Sequence, residues 1–235
     1  MKPIYQPTGK AREYGDYAIN IYTGCPHRCF YCFAPNVLHR DRETFHSHVE
    51  PRPGIVEAVK AQLKREQITG KLIHLCFTCD PYPTGYDSTP TREIIKLLKA
   101  HGNHVQILTK GDGIRDFDLL DSEDWYGITY DGREPGDLRD QLLGNMNIDS
   151  LSLAKEYGIK TWVSFEPVLQ DEAVLYMMEY AFPGTADRYK IGKLNYYHSD
   201  INWAEFGRKA EEICKKEGID YYIKESLRAE MEVQT

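Results

Sequence analysis

Residues 71–111, KLIHLCFTCDPYPTGYDSTPTREIIKLLKAHGNHVQILTKG, read as one strand, helix, strand unit. Residues 71–80 and 104–111 are short and alternate apolar with other side chains, the period-two pattern of a strand with one buried face. Between them, residues 90–101 carry apolar side chains at helical spacing. Thr89 stands as the cap, Pro90 at the first helical position where no amide hydrogen is required, and Gly102 just past the end. The alternation continues in both directions. Strand-like runs occupy 16–24, 125–131, 160–168, 188–195 and 221–226; helix-like runs occupy 54–68, a short piece near 117–122, 148–157, 171–181 and 203–217. Strands separated by helices pair in parallel through right-handed crossovers, so the expected class is an α/β sheet or barrel. Six or seven such units in 235 residues fall short of an eight-fold barrel of about 250 residues. The expectation is a partial, open TIM barrel of (βα)6 type. No repeat, low-complexity tract or Ser/Gly linker divides the chain, which reads as a single domain, 1–235.

The same alternation selects faces. In 71–80, Ile73, Leu75 and Phe77 are expected toward the helices, and His74, Cys76, Thr78 and Asp80 toward the barrel interior. By this rule Asn20 and Tyr22, Gln106 and Lys110, and Ser164 and Glu166 also face inward, with Ile19, Ile21, Val105, Ile107, Val163 and Phe165 outward. Four strands thus place polar groups on one face near their carboxyl ends, where (βα) barrels carry their active sites. Burying such groups is costly unless they are partnered, so a ligand is the expected occupant.

A composition of 41% hydrophobic and 28% charged residues excludes a disordered or collagen-like chain. No run approaches the ~20 apolar residues that span a bilayer, and the start, MKPIYQPTGK, lacks a signal-type apolar stretch; a cytoplasmic protein with no membrane partner is expected. Lys+Arg 29 against Asp+Glu 36 gives a net charge of −7, which leaves nucleic acid a possible partner that charge does not favour. In a reducing compartment, six cysteines point to metal binding or catalysis before disulfides.

Three of the six fall in the loop after the first strand, NIYTGCPHRCFYCFAP, as Cys25-x3-Cys29-x2-Cys32. Three thiolates so closely spaced can hold three irons of a four-iron cluster, and with no fourth cysteine beside them the fourth iron stays open. An open iron at a barrel mouth suits a chelating substrate or cofactor. The alternative is a structural zinc with His27 or His39 as fourth ligand, although such sites usually pair C-x2-C with a distant second pair.

The segment resembles the radical S-adenosylmethionine superfamily, whose signature is C-x3-C-x-aromatic-C, with Tyr31 at the aromatic position. CFTCDPYPTGYDSTPTREIIKLL, VQILTKG with DFDLLD soon after, and SFEPVL resemble blocks of its spore photoproduct lyase-like (DNA repair photolyase-type) branch. The resemblance covers about 16–170, with the cluster loop at 24–33 and no matching block from about 180 to 235. It implies a radical SAM core, a 4Fe-4S cluster on Cys25, Cys29 and Cys32, and S-adenosylmethionine at the open iron. The reduced cluster would cleave that cofactor to a 5′-deoxyadenosyl radical, which abstracts hydrogen from an unidentified substrate. Flavodoxin or ferredoxin is the implied reductant. By position in the blocks, Lys110 pairs with the cofactor carboxylate, Thr78 and Asp80 sit at its amino end, Thr129 and Ser164 at its ribose, and Tyr31 against the adenine. A solvated strand-end lysine is the alternative for Lys110. Against this enzyme stands a non-enzymatic metal module, either structural zinc or an electron-carrier iron-sulfur protein, although a carrier cluster normally has four cysteine ligands.

Glu166 reads either as a contact to cofactor or substrate, or as one half of a salt bridge with Lys110 or Lys193. Cys76 and Cys79 lie three residues apart in a strand-like run, which would send their side chains to opposite faces: Cys76 inward, Cys79 toward the helices. In the spore lyase a second-strand thiol donates hydrogen to the product radical; Cys76 is one residue out of register with it, and an inert packed thiol is the alternative. Cys214, beside Ile213 at helical spacing, reads as core. The clustered tyrosines, Tyr82, Tyr86, Tyr126, Tyr130, Tyr196, Tyr197, Tyr221 and Tyr222, are expected to line the barrel mouth.

Overall fold

A computed structural model of the chain describes residues 2–133 and 138–232, with the side chains of 138–146 outside the described set. The chain divides into two compact units, Met1–Tyr126 and Gly127–Thr235.

The first unit contains β1 (Ile4–Tyr5), a 3-10 turn (Gly9–Glu13), β2 (Tyr17–Ile19), α1 (Ala34–Val37), α2 (Arg42–Ser47), α3 (Ile55–Glu66), β3 (Leu72–Leu75), α4 (Thr89–Ala100), β4 (His104–Thr109) and a second 3-10 turn (Ile114–Leu119). The division falls inside β5 (Trp125–Thr129). Its sheet runs β1-β2-β3-β4, with β1 antiparallel to β2 and the other pairs parallel. Ile4, Ile19, Leu75 and Ile107 lie in register on one face, and all are buried. Val59 and Leu63 of α3 and Ile94, Ile95 and Leu98 of α4 are buried with them; each such side chain contributes about 1.5–3 kcal/mol. Gln62 of α3 ties down the short edge strand, accepting from Ile4 N–H (2.9 Å) and donating to Ile4 C=O (2.8 Å). At the start of α4 the side-chain acceptor is Asp87, whose Oδ1 takes the N–H and hydroxyl of Thr89.

On the opposite face Ala18, His74 and Gln106 are in register, and Gln106 Nε2 is 3.0 Å from His74 Nδ1, as the alternation implies. The alternation fails beyond Leu75. Cys76 has a left-handed backbone, φ 69°, which ends β3 and resets the faces. Phe77, expected among the helices, stacks on His74 with ring centroids 4.2 Å apart. Likewise β2 stops at Ile19, and Tyr22, expected inward, sends its hydroxyl to Thr91 of α4 (2.9 Å).

The second unit contains α5 (Leu138–Glu156), β6 (Lys160–Phe165), α6 (Asp171–Tyr180), β7 (Arg188–Ile191), α7 (Trp203–Glu217), β8 (Asp220–Ile223) and α8 (Glu225–Glu232). β6, β7 and β8 are parallel neighbours. Here the alternation holds to the strand end. Phe165 packs edge-on against Phe182 and Tyr189, and Tyr189 Oη donates to Met178 C=O of α6. Ser164, Lys190 and Tyr222 lie in register on the other face. Trp162 shares that face, and a Cβ on Gly127 would come within 2.2 Å of its Nε1, so β5 requires glycine there. Cys214 is buried in α7, as its spacing implies. α8, which the sequence reading did not anticipate, packs so closely on α7 that a Cβ on Gly207 would meet Met231 Sδ at 2.6 Å. The tyrosines do not form one lining: Tyr82 and Tyr126 are buried, whereas Tyr86, Tyr196 and Tyr197 are exposed. Among the described residues, no helix is long and apolar enough to cross a membrane.

Candidate functional site

The cysteine loop is built onto α2, a six-residue helix absent from the sequence expectation. Asp41 starts the helix, its Oδ1 accepting from Thr44 N–H at 2.8 Å. Gly24 then brings the loop against the helix. A Cβ there would lie 2.3 Å from Phe45 C=O and 2.5 Å from His48 C=O, both backbone groups that cannot yield. Cys25 N–H donates to Phe45 C=O (3.3 Å), and Nδ1 of the buried His46 lies 2.8 Å from Cys25 C=O. The Arg42 guanidinium donates to two further cysteine carbonyls, Cys29 at 3.0 Å and Cys32 at 2.8 Å. Each cysteine of the C-x3-C-x2-C motif therefore has a backbone atom held by α2.

The three thiols are free and half-buried. Burial pushes the Cys25 thiol well above its ordinary range, helped by the neighbouring Asp80, Cys79 and Cys29. Burial also raises Cys32, with Arg42 pulling the other way. Three crowded soft donors disfavour their own ionisation until a cation is shared among them, which fits a thiolate-ligated iron cluster. His27, weighed as a zinc ligand, turns Nε2 instead to Asp80 Oδ2, 3.2 Å away, too poorly aligned for a hydrogen bond but close enough for charge attraction.

Asp80 fastens this loop to the ends of β3 and β4. Its Oδ1 accepts from Tyr82 N–H (2.8 Å) and Thr109 Oγ1 (2.5 Å), and its Oδ2 from Lys110 N–H (2.9 Å), with His27 beside it. Three hydrogen bonds take three of the roughly four lone-pair positions of the carboxylate, and the imidazole stands beside the fourth. Burial alone would raise this group, but the His27 charge and the hydrogen bonds outweigh it and hold Asp80 below the usual carboxylate range. Next to it, Lys110 Nζ donates to Tyr31 Oη at 2.7 Å, joining β4 to the loop a second time. Thr78 N–H and Phe77 N–H both donate to Asn20 Oδ1 (2.9 and 2.8 Å), while Thr78 Oγ1 is buried with no partner. A buried hydroxyl without a hydrogen bond is costly, and a bound ligand would satisfy it.

The structure thus brings Tyr31, Thr78, Asp80 and Lys110 together with the three cysteines in the first unit. Thr129, Ser164 and Glu166 belong to the second. Thr129 is half-buried at the end of β5, Ser164 is buried near the end of β6, and Tyr130 N–H donates to Ser164 C=O at 3.0 Å. Glu166 does form a salt bridge, with a lysine that the sequence reading did not name. Lys224, almost fully buried after β8, reaches it at 2.6 Å, and Lys193 pairs with Glu230. The parallel neighbours β7 and β8 carry Lys224 to this place, a relationship across 58 residues that pattern reading does not supply.

The strand does not run on from Cys76 to Cys79, whose Sγ accepts from Tyr22 N–H at 3.4 Å. The expectation assumed a strand through both, and the left-handed Cys76 breaks it. Arg42, His46, Thr109 and Lys224 were also missed; all act through contacts distant in sequence. Only Gly24, beside the first cysteine, carried a local sign of close backbone approach.

No family model matches the chain. An uncharacterized protein of Methanocaldococcus jannaschii is 30% identical over 166 residues, 66% of this chain and 61% of that protein. An uncharacterized protein of Mycobacterium tuberculosis is 32% identical over 106 residues, 42% of this chain and 31% of that protein. The chain thus spans less than two thirds of either relative. Among solved structures, spore photoproduct lyase complexed with dinucleoside spore photoproduct matches with a TM-score of 0.68 at 11% identity, over 93% of this chain and 79% of that one. A mutant of the lyase with bound AdoMet and dinucleoside spore photoproduct matches with a TM-score of 0.59 at 12% identity, over 90% and 64%. The chain therefore has the α/β, TIM-barrel-like fold of spore photoproduct lyase.

Proposed function

We propose that this chain is a radical S-adenosylmethionine enzyme of the spore photoproduct lyase-like branch, acting as one catalytic domain. The observation that carries the reading is the double fastening of the cysteine loop to the two strand ends that hold the expected cofactor residues: His27 at Asp80 and Tyr31 at Lys110. A loop whose only task was to hold zinc would not need its non-cysteine residues matched to those positions. The fold shared with a lyase that has been solved with AdoMet supports the same reading.

On this reading Cys25, Cys29 and Cys32 hold a 4Fe-4S cluster. When bound, cluster and S-adenosylmethionine together supply a 5′-deoxyadenosyl radical that takes hydrogen from the substrate. The chain's own residues bind and orient. Lys110 offers its ammonium to the cofactor carboxylate, a charge-assisted contact, and Tyr31 lends its ring to the adenine. Thr78 offers its unsatisfied hydroxyl at the amino end, with Asp80 holding Lys110, Thr109 and His27 in place behind it. Thr129 and Ser164 serve the ribose, and Glu166, held by Lys224, is a further polar group for cofactor or substrate. Cys76 is the thiol assigned to hydrogen return.

The reading places the protein in the cytoplasm with flavodoxin or ferredoxin as reductant. The lyase structures hold a dinucleoside, but a net charge of −7 gives this chain no general attraction for nucleic acid, so its commitment is to hydrogen abstraction. Anaerobic reconstitution tests it: about four irons and four sulfides per chain are expected, with an EPR signal of the reduced protein that changes when S-adenosylmethionine is added. Stoichiometric zinc with no iron would overturn it.

A further inference from the structure

The Lys110 ammonium is fixed by the cysteine loop. Its Nζ donates to Tyr31 Oη at 2.7 Å and stands 5.4 Å from the centre of the same ring. Both ends of this contact are built. On the lysine side, Lys110 N–H donates to Asp80 Oδ2 (2.9 Å), Thr109 Oγ1 to Asp80 Oδ1 (2.5 Å) and Gly111 N–H to Thr109 Oγ1 (2.8 Å). A Cβ on Gly111 would lie 1.9 Å from Tyr82 C=O, so the chain leaving Lys110 is packed against the segment that follows Asp80. On the tyrosine side, Arg42 holds the carbonyls of Cys29 and Cys32, on either side of Tyr31, and Cys32 N–H closes a turn onto Cys29 C=O (3.0 Å). The Phe30 ring stands edge-on to Tyr31, with centroids 5.2 Å apart. Between the two fixed backbones, the part with rotamer freedom is the four-carbon lysine stem, whose head the phenol takes.

We propose that Tyr31 is the positioning residue for Lys110: its hydroxyl presets the ammonium for the cofactor carboxylate, so that selection of a carboxylate-bearing cofactor depends on where the cysteine loop sits. The proposal rests on the reading of the site given above. It concerns the hydroxyl, a group that the contact of the ring with adenine does not use. An ammonium has three donors, so a bond to Tyr31 and a bond to a carboxylate are compatible. A lysine tethered in advance loses less rotamer freedom when the carboxylate arrives, and the contact contributes more to binding. A loop displaced from α2 would carry the phenol away and release the ammonium, which links the placement of the loop to recognition of the carboxylate.

The test measures equilibrium binding to the anaerobically reconstituted full chain of two compounds, S-adenosylmethionine and decarboxylated S-adenosylmethionine, which keeps the adenosine and the amine but has no carboxylate. Tyr31→Phe preserves the ring and should retain the iron of the unsubstituted chain. It should bind S-adenosylmethionine about fivefold or more weakly, the effect of one lost hydrogen bond, with its affinity for the decarboxylated compound unchanged. In Lys110→Met, which has no ammonium to position, adding Tyr31→Phe should alter neither affinity. Unchanged affinity of Tyr31→Phe for S-adenosylmethionine would overturn the proposal. So would tighter binding, which would make the contact a latch, and so would an equal loss for both compounds or a loss of iron, which would assign the hydroxyl to the loop's own structure. Each of these results leaves the reading of the site standing. An unsubstituted, iron-loaded chain that binds neither compound would overturn the reading and the proposal together.

Discussion

The Asp80 carboxylate lies 3.2 Å from His27 Nε2, so a residue between the first two cysteines of the motif is held by the segment that follows β3. The same carboxylate accepts from Thr109 and from the Lys110 backbone at the end of β4. One buried group thus fixes the cysteine loop relative to two strand ends, and its loss should be felt in folding and in the loop together.

Asp80→Asn should therefore destabilise the protein at neutral pH by about 1–3 kcal/mol, since an amide keeps one acceptor oxygen and sets N–H groups against donors. The pH dependence has a definite sign. The native Asp80 pKa is depressed, so its contribution is complete above the unfolded value of about 3.9 and is lost as pH falls through the native value. Urea unfolding should show a gap between the two proteins that is constant from about pH 8 to 5 and narrows below about pH 4. A gap that widened in acid would contradict the assignment.

Arg42 is the cation that grips two of the cysteine carbonyls. Arg42→Met keeps the stem but removes both donors, at an expected cost of about 1.5–3 kcal/mol concentrated in the loop. Iron retained after anaerobic reconstitution and gel filtration should fall while the circular dichroism spectrum is unchanged. Arg42→Lys should recover less than half of the loss, because one ammonium cannot reproduce the planar fork. Full retention of iron in Arg42→Met would show that α2 does not brace the loop.

The Glu166–Lys224 pair gives a prediction for the second unit. Lys224 is 2% exposed, so removing the Glu166 carboxylate takes an opposite charge from a buried ammonium. Glu166→Gln or Lys224→Met alone should cost about 3–5 kcal/mol, and the double variant should cost much less than the two added together. Additive losses in chemical denaturation would mean that the two side chains do not act as a pair.

The repeating βα order could be read from the chain because each strand and helix carries its own period. The outward faces of β4 and β6 followed directly, and Gln106 and Ser164 lie where alternation puts them. The reading failed where strands ended early. Nothing around Cys76 announces a left-handed residue, since a buried cysteine in an apolar run looks like strand, and its turn reversed the expectation for Phe77. The cysteine loop was visible by spacing alone; its supports were not. Arg42 and His46 look like ordinary surface residues of a polar stretch until α2 folds under the loop, and Lys224 meets Glu166 only through the order of parallel strands.

If the braced cysteine loop, Thr78 and Lys110 form a site where S-adenosylmethionine is reductively cleaved, the cleavage product itself can be measured. The assay follows 5′-deoxyadenosine released when the anaerobically reconstituted protein is mixed with S-adenosylmethionine and dithionite. 5′-Deoxyadenosine and methionine are expected in equal amounts. Their release should be abolished in Cys25→Ala, Cys29→Ala and Cys32→Ala and reduced roughly 10- to 150-fold at limiting cofactor in Lys110→Ala, the equivalent of one charge-assisted contact. A protein that takes up its full complement of iron, is reduced by dithionite and still releases no 5′-deoxyadenosine would contradict this assignment of the site.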